Sequence, residues 1–493
     1  MKKASVIGSG ISGLAAAASL AHQNISVDVF DNQTSAGGRC RQFTQDGFAF
    51  DMGPSWYWMP DVMERFFKRF GHSTSDYFEL KHLDPGFRVF FGKDDTIDIP
   101  ANLSKQKELF ESIETGAGEK LAEVLADSKI KYDVGVNELV YKPSESIFEY
   151  FSLPLLLKML QLGVTNSFHT YIRKYFKDPR LLALMEFPIL FLGGTAKSTP
   201  SLYSLMNYSC FSQGTFYPMG GFSKLSEAMH GLCTELGVNF HFDETIDQVD
   251  HSKGLINSIK GKPVQGLISS GDYHHFEEHI LQNGSKNYDT KYWDKKTLSP
   301  SALIFYLGVN GKVNNLIHHN LFFDESFDQH AEEIYNDPQW PNKPLFYVCC
   351  PSKTDPSVAP ESDENLFVLM PLAPGLEDNE ELREEYYGKL MKRLEELTGE
   401  SITNRIKVKK SYCINDFKKD YNSFKGNAYG LANTLMQTAF MRPKMSNKKI
   451  KNLFYCGQLT VPGPGVPPAI ISGQVAAAQL LSYFNNDSYE KYL

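Results

Sequence analysis

A short apolar run, ASVIG at Ala4–Gly8, opens the chain and predicts a buried strand. Residues 12–23 are Ala-rich and predict a helix, and Ser26–Asp31 (SVDVFD) alternates apolar and polar positions as a second strand does. Strand, helix and strand within about 30 residues make a βαβ unit, which predicts a parallel sheet. Glycines and aromatics crowd residues 36–57, as expected of chain laid against a ligand. Residues 102–177 read as mostly helical, and from Leu153 the positions Leu156, Leu157, Leu160, Val164, Phe168, Ile172 and Tyr175 recur at helical spacing. A Gly-Gly turn then precedes a predicted helix near Ser223–Leu236 and strands around Val238–Phe242 and Thr245–Val249. Residues 303–309, 345–350 and 366–370 read as further strands. Glu377–Thr398 carries Glu and Lys/Arg at spacings that support a helix. The end returns to a strand at Leu453–Cys456, a Gly/Pro loop and an Ala-rich helix at Ile470–Phe484, and no internal repeat interrupts the order.

At 493 residues the chain has room for two or three domains of roughly 150 residues each. Hydrophobic residues at 42% and charged residues at 22% exclude wholesale disorder. The balance of 50 Lys+Arg against 58 Asp+Glu leaves a net charge of −8, which argues against a nucleic-acid partner, because neutralising phosphates needs a cationic excess. The 35 Phe and 25 Tyr are a high apolar payload for an acidic chain and point to large apolar pockets or surfaces. Seven cysteines, an odd number at irregular spacing with no C-x-x-C pair, argue against a disulfide framework or a Cys-based zinc site, and fit a reduced cytosolic setting. Lys2 and Lys3 before an Ala-rich stretch mimic a signal peptide, but glycines at fixed spacing break the apolar region and favour the strand–turn–helix reading. The longest apolar candidates are interrupted: Phe151–Ile172 by Lys158, Gln161, Asn166 and His169, and Leu181–Leu192 by Glu186 and Pro188. The expectation is a protein that does not span a membrane but can rest on one.

Chemistry enters at Gly8-Ser9-Gly10-Ile11-Ser12-Gly13, a G-x-G-x-x-G match between a predicted strand and a predicted helix. Asp31 follows 18 residues past Gly13 at the end of the next strand, the position of a ribose-binding acid in a dinucleotide site. Gly8 permits the tight turn, Gly10 lets a pyrophosphate approach the backbone, and Gly13 lets helix and strand pack closely. The free N–H groups and positive dipole end of the helix, from Ile11 and Ser12 onward, hold the phosphates. Ser35-Ala36-Gly37-Gly38-Arg39 comes next, with two glycines for close backbone approach and a charged fork in Arg39. Phe50-Asp51-Met52-Gly53-Pro54-Ser55-Trp56 follows.

On these residues the chain resembles the flavin-dependent amine oxidase superfamily and, within it, the bacterial phytoene desaturase (carotenoid desaturase) family. The resemblance covers nearly the whole chain. Gly37-Gly38-Arg39 and Phe50–Pro54 match the N-terminal flavin signature, and Tyr217-Pro218-Met219-Gly220-Gly221 the central turn. The stretch from Pro351 to Pro360 (PSKTDPSVAP), then Arg442-Pro443, Asn452–Gly457 and Pro462–Pro467 match the later signatures in order. The chain departs from the family in having Asp31 where Glu is common, Met219 where Arg is usual, and Val466-Pro467-Pro468 where the C-terminal loop often carries a further glycine.

The resemblance implies an α/β fold. A Rossmann-type FAD-binding domain would be assembled from residues 1–75, 215–290 and 425–493. A mixed-sheet substrate domain would be inserted at 76–101 and 291–424, with a helical, membrane-facing part at 102–214. It implies FAD as cofactor, held by the Gly8–Gly13 turn, Asp31, Gly38, Arg39, the run Gly53, Pro54, Ser55 and Trp56, and Ile246 beside the adenine. Gly457, Gly465 and Val466 would stand where the last helix aims its N-terminus at the ring. It also implies a lipophilic carotenoid substrate, phytoene foremost, with hydride leaving to the flavin and quinone or oxygen as the final electron acceptor.

A hydrocarbon offers no polar handle, so its binding must come from apolar area, at roughly 25 cal/mol per Å². No acid–base residue is assigned; delocalisation of positive charge along a polyene would make a strong base unnecessary. Tyr171–Lys177 (YIRKYFK) mixes aromatic and basic residues like an interfacial anchor, which suits a cytoplasmic protein attached peripherally to the inner face of a membrane. Alternatives are 3,4-desaturation of a γ-carotene or hydroxycarotenoid end, isomerisation, and a flavin-free lipid escort on the same fold. His275-Phe276-Glu277-Glu278-His279 fits H-x-x-E-H formally, but Ser269–Tyr273 just before it occupies the strand-to-helix exit beside the cofactor, so no metal is expected. His318-His319 is expected to be a loop pair.

Overall fold

The computed structural model describes residues 2–493 except 147, 148, 150–161, 163–165, 282, 283 and 435. The expected helical positions Leu153, Leu156, Leu157, Leu160 and Val164 therefore lie outside the described residues. Two sheets organise the rest. The first has five parallel strands, in the order Leu453–Tyr455, Gly266–Ser269, Lys3–Ile7, Ser26–Phe30 and Asn239–His241. Strands from the start, middle and end of the chain thus share one sheet, and the opening βαβ unit forms its centre.

The helix Ile11–Ala21 is buried from Ile11 to Leu20, which accounts for its all-alanine middle. A helix apolar on every side belongs in a core. Here the sheet covers one side, and the helices Ser223–Glu235 and Val466–Asn485 cover the others. The approach to the last of these is set by Gly473: a Cβ there would lie 2.1 Å from the carbonyl oxygen of Ser12 and 2.9 Å from the Ala15 methyl.

The second sheet has seven strands, in the order Ile406–Tyr412, Ser301–Val309, Glu364–Leu372, Phe346–Cys349, His319–Phe322, Phe87–Gly92 and Asp95–Ile99. All neighbours are antiparallel except His319–Phe322 with Phe87–Gly92. Every residue of Ser301–Val309 is buried, as a continuous apolar run demands when both faces are covered. Its side chains divide by parity. Ala302, Ile304 and Tyr306 join the core shared with the first sheet. Leu303, Phe305, Leu307 and Val309 pack with Tyr386, Leu390, Met391 and Leu394 of the helix Glu380–Thr398.

The structure corrects several expectations. Residues 245–248 form no strand; the chain entering them is tied at Asp243 and Glu244, whose N–H groups donate to the carbonyls of Gln33 and Asp31 beyond the end of the strand Ser26–Phe30. His319 is not in a loop but opens the strand His319–Phe322, and both His318 and His319 are buried. The last helix begins at Val466, four residues before the expected Ile470, because proline fits the first turn, whose N–H groups have no intrahelical acceptor. The strands Phe87–Gly92, Asp95–Ile99 and Ile406–Tyr412 were absent from the expected set.

Among the described residues no helix is long and apolar enough to cross a membrane. In the anchor-like segment Ile172 and Phe176 face the core, while Arg173, Lys174 and Lys177 are exposed. The hydroxyl of Tyr171 donates to Asp127 at 2.5 Å, and Arg173 pairs with Glu186.

Gly473→Ala should force the first and last helices apart at Ser12 and cost about 1–3 kcal/mol. Denaturant unfolding followed by far-UV circular dichroism checks this; an unchanged midpoint would mean that the close approach is not made.

Candidate active site

Between the two sheets lies a cavity of about 520 Å³. One end is polar and is walled by the Gly8–Ser12 turn, Asp31, Gly38, Arg39 and Glu244–Ile246. The middle is walled by Gly53–Trp56, Gly457 and Gly465–Val466. The far end is apolar, with Phe187, Phe191, Leu192, Ile304, Leu321 and Tyr347. The chain therefore brings residues from both ends of its sequence to one continuous space. Of the expected site residues, Gly8, Gly10, Ile11, Ser12, Asp31, Gly38, Arg39, Gly53, Pro54, Ser55, Trp56, Ile246, Gly457, Gly465 and Val466 all line it.

Gly13 stands behind the wall. A Cβ on it would fall 1.9 Å from the carbonyl oxygen of Gly8, so its missing side chain is what lets the turn fold back on the helix. Gly10 is the opposite case: the place its Cβ would occupy has no atom within 4 Å, and opens onto the helix N-terminus. The Asp31 carboxylate accepts from the Ser9 N–H and hydroxyl, both at 2.6 Å, and from the Gln33 N–H at 2.9 Å. A carboxylate has about four lone-pair sites, so it keeps acceptor capacity for a ligand hydroxyl.

Arg39 lies over the ring of Tyr421 at 4.5 Å and donates from Nη2 to the Ser423 hydroxyl at 2.7 Å, while its Nε is buried without a partner. Burial pulls its pKa down. An unpaired guanidinium N–H at the wall of a cavity is a donor in want of an acceptor. Arg442 is buried and donates to the carbonyls of Thr460, Leu431, Gln437 and Gln458 and to the Asn433 side chain, which ties Leu431, Asn433 and Gln437 to Gln458 and Thr460.

At the junction of the middle and apolar stretches, the Tyr347 hydroxyl lies 3.0 Å from Ser55 Oγ and 2.6 Å from His319 Nδ1. The His319 ring is stacked on Trp56 at 4.0 Å. In the H-x-x-E-H segment the rings of His275 and His279 are 4.9 Å apart, but Glu278 is paired with Lys286 at 2.5 Å, and the buried Glu277 accepts from the N–H groups of Asn287 and Tyr288.

The sequence pattern of the flavin containing amine oxidoreductases matches residues 11–273 and 299–481. The chain belongs to this family. It is accordingly an FAD-dependent oxidoreductase. Among its relatives, a carotenoid 3,4-desaturase of Haloarcula japonica is 38% identical over 481 residues, 97% of each chain. A zeta-carotene-forming phytoene desaturase of Myxococcus xanthus is 29% identical over 490 residues, 97% of this chain and 93% of that one. The fold is that of an oxidoreductase from Methanosarcina mazei, with a TM-score of 0.63 at 16% identity over 96% of this chain and 98% of that one.

The residues present fit the cofactor of the family. The open space over Gly10, the spare capacity of Asp31 and the unpaired Nε of Arg39 offer in turn a place for a diphosphate, an acceptor for ribose hydroxyls and a donor for an acceptor group. Ser270 and Asp272, expected only as part of the strand-to-helix exit beside the cofactor, line the cavity, and Glu244, Tyr421 and Tyr347 line it without having been expected. Tyr421 ends the helix Ile414–Tyr421, far along the chain, and only tertiary folding brings it to Arg39. Tyr347 did carry a signal, since a tyrosine within an apolar strand must find a partner for its hydroxyl.

Asp272 accepts from the N–H groups of His275 and Phe424 at the cavity wall, and burial pushes its pKa up to about 6. A carboxyl raised in this way holds its proton more tightly folded than unfolded, so its contribution falls as pH rises from about 4 to about 6 and is a constant cost above. Asp272→Asn, neutral throughout, should lose less stability across that window than the wild type. Denaturant midpoints measured at pH steps on both proteins check it; parallel curves would remove the assignment.

Proposed function

We propose that this oxidoreductase introduces carbon–carbon double bonds into a carotenoid, as a desaturase of the phytoene desaturase type. The observation that carries the reading is the continuity of the cavity, whose polar end suits a dinucleotide and whose far end is lined by Phe187, Phe191, Leu192, Ile304 and Leu321. A substrate without polar groups can be held only by such a wall, at roughly 25 cal/mol per Å² of apolar area removed from water. FAD, when bound, supplies a two-electron hydride acceptor. The Gly8–Ser12 turn would hold its diphosphate on the helix N-terminus, Asp31 its ribose, and Gly53–Trp56 with Gly465–Val466 its ring. The chain's own residues then align the hydrocarbon and exclude water from the reacting bond.

The same reading places the protein at the cytoplasmic face of a membrane, where its substrate dissolves and a quinone or oxygen can take the electrons. Leu190 lines the cavity yet is 40% exposed, and Met436 is 75% exposed. Arg173 pairs with Glu186 just before Phe187, which lines the cavity, and Lys174 and Lys177 of the same segment are exposed. Exposed cations suit anionic headgroups. The 38% identity to a carotenoid 3,4-desaturase, against 29% to a phytoene desaturase, favours a second reading in which the bond lies at the end of an already unsaturated chain.

Incubation of the flavin-loaded protein with phytoene and, separately, with γ-carotene in anionic liposomes decides between them. Product absorbance moving to longer wavelength with phytoene supports the first reading, and with γ-carotene alone the second. No shift with either would end both, and failure to float with the vesicles would end the membrane placement. Gly10→Val, which fills the space over the helix N-terminus, should leave far-UV circular dichroism unchanged and yield colourless protein; a yellow variant would mean that the diphosphate is held elsewhere.

A further inference from the structure

We propose that the hydroxyl of Tyr347, backed by the imidazole of His319, takes up the proton that the substrate carbon loses as the double bond forms. The inference rests on the desaturase reading above. It starts from a hydroxyl and an imidazole held against each other at the cavity wall. Tyr347 lines the cavity between Leu321 and the Ser55–Trp56 segment, and its hydroxyl sits 3.0 Å from Ser55 Oγ and 2.6 Å from His319 Nδ1. His319 stands behind it in the adjacent strand and is completely buried. Its Nε2 has no hydrogen-bond partner. Phenylalanine and leucine would fill this volume without the desolvation penalty of about 1–3 kcal/mol that an unsatisfied buried polar group carries. Polarity kept at such a place has work other than packing.

Desaturation removes a hydrogen from each of two neighbouring carbons. One leaves with its bonding electron pair and goes to the flavin. The other leaves as a proton, and the electron pair of its C–H bond becomes the new π bond. Positive charge spread along a polyene makes that C–H strongly acidic, so a weak base suffices. The Tyr347 oxygen receives the proton while the proton already on that oxygen passes to His319 Nδ1. The result is a neutral tyrosine and an imidazolium. The face of Trp56, 4.0 Å from the His319 ring and inclined by 11°, stabilises that cation.

The groups around His319 leave it neutral before the reaction. His318 precedes it on its own chain with ring centroids 4.5 Å apart, and Cys349 and Tyr347 face it from the next strand. Tyr217 and Asp355 lie beyond His318. Burial, reinforced by His318, holds the His319 pKa well below its ordinary value, so its lone pair is available across the physiological range.

The test compares wild-type holoenzyme with Tyr347→Phe and His319→Gln in phytoene or γ-carotene liposomes, using whichever the wild type converts. The readouts are bound flavin, the anaerobic rate of flavin bleaching, its pH profile and its solvent deuterium isotope effect. Tyr347→Phe should keep its flavin, bleach about 10²-fold or more slowly, and lose the isotope effect of the wild type. The double variant should be little slower than either single one, because the two groups act as a unit. Bleaching of Tyr347→Phe at the wild-type rate, with the isotope effect intact, would overturn the proposal. Should His319→Gln lose its flavin, Tyr347→Phe still decides, since it removes one oxygen and no volume. Wild-type protein that converts neither carotenoid removes the desaturase reading and this inference with it; wild-type turnover beside an unaffected Tyr347→Phe removes this inference alone.

Discussion

The close backbone contact between the first and last helices is the constraint from which the site follows. Gly473 lets the carbonyl of Ser12 come within a distance no side chain would allow, and Gly13 does the same for the carbonyl of Gly8. Side chains of ordinary size at these positions would separate the helices by ångströms. With the contact made, the N-terminus of Ile11–Ala21 and that of Val466–Asn485 open onto one cavity, although they are encoded at opposite ends of the chain. Their combined dipole ends make one side of the cavity favourable to negative charge. The polar half of the site is therefore a consequence of helix packing before it is a matter of individual ligands.

The apolar half follows from a different rule. Ser301–Val309 is buried along its whole length, and strand geometry sends alternate side chains to opposite faces. Leu303, Phe305, Leu307 and Val309 anchor the sheet on the helix Glu380–Thr398, while Ser301, Ala302 and Ile304 line the cavity. One strand thus serves stability with one face and the site with the other. Replacing a residue on the helix-facing side would act on the site only through the position of the whole sheet.

How far the sequence could be read depended on whether the signal was local. Gly8, Gly10, Asp31 and Gly37–Arg39 lie within or just after a short βαβ unit, where spacing suggests roles, and all of them line the cavity. Thr245–Val249 misled because β-branched composition resembles a strand, whereas only its last residue, Val249, enters one, and the chain just before it is tied at Asp243 and Glu244 to the carbonyls of Gln33 and Asp31. His318-His319 misled for the converse reason: a polar pair suggests a loop, and only the surrounding strands show that these rings are buried against Trp56 and Tyr217. The Tyr421 and Ser423 partners of Arg39 had no local signal at all, since the contact spans more than 380 residues of sequence.

The Val466-Pro467-Pro468 sequence bears on how the two helix ends divide their labour. Prolines in the first turn remove no intrahelical hydrogen bond, so the helix itself is unharmed. They do remove donors that a ligand could have used. Ala469 donates to the Gly465 carbonyl, which leaves Val466 as the one residue of that first turn with an N–H free of the helix ladder. The first helix keeps the N–H groups of Ile11, Ser12 and Gly13 outside its own ladder, because Leu14 is the first to bond back, to Gly10. Directional hydrogen bonding is thus concentrated at the first helix, where the diphosphate is proposed to sit, while the last helix, proposed to face the ring, would contribute mainly the field of its dipole. A field without many fixed donors favours negative charge near that helix end but constrains its position less. Positioning at that end therefore falls to the packed wall, Gly53 to Trp56 on one side and the Arg442-clamped loop on the other.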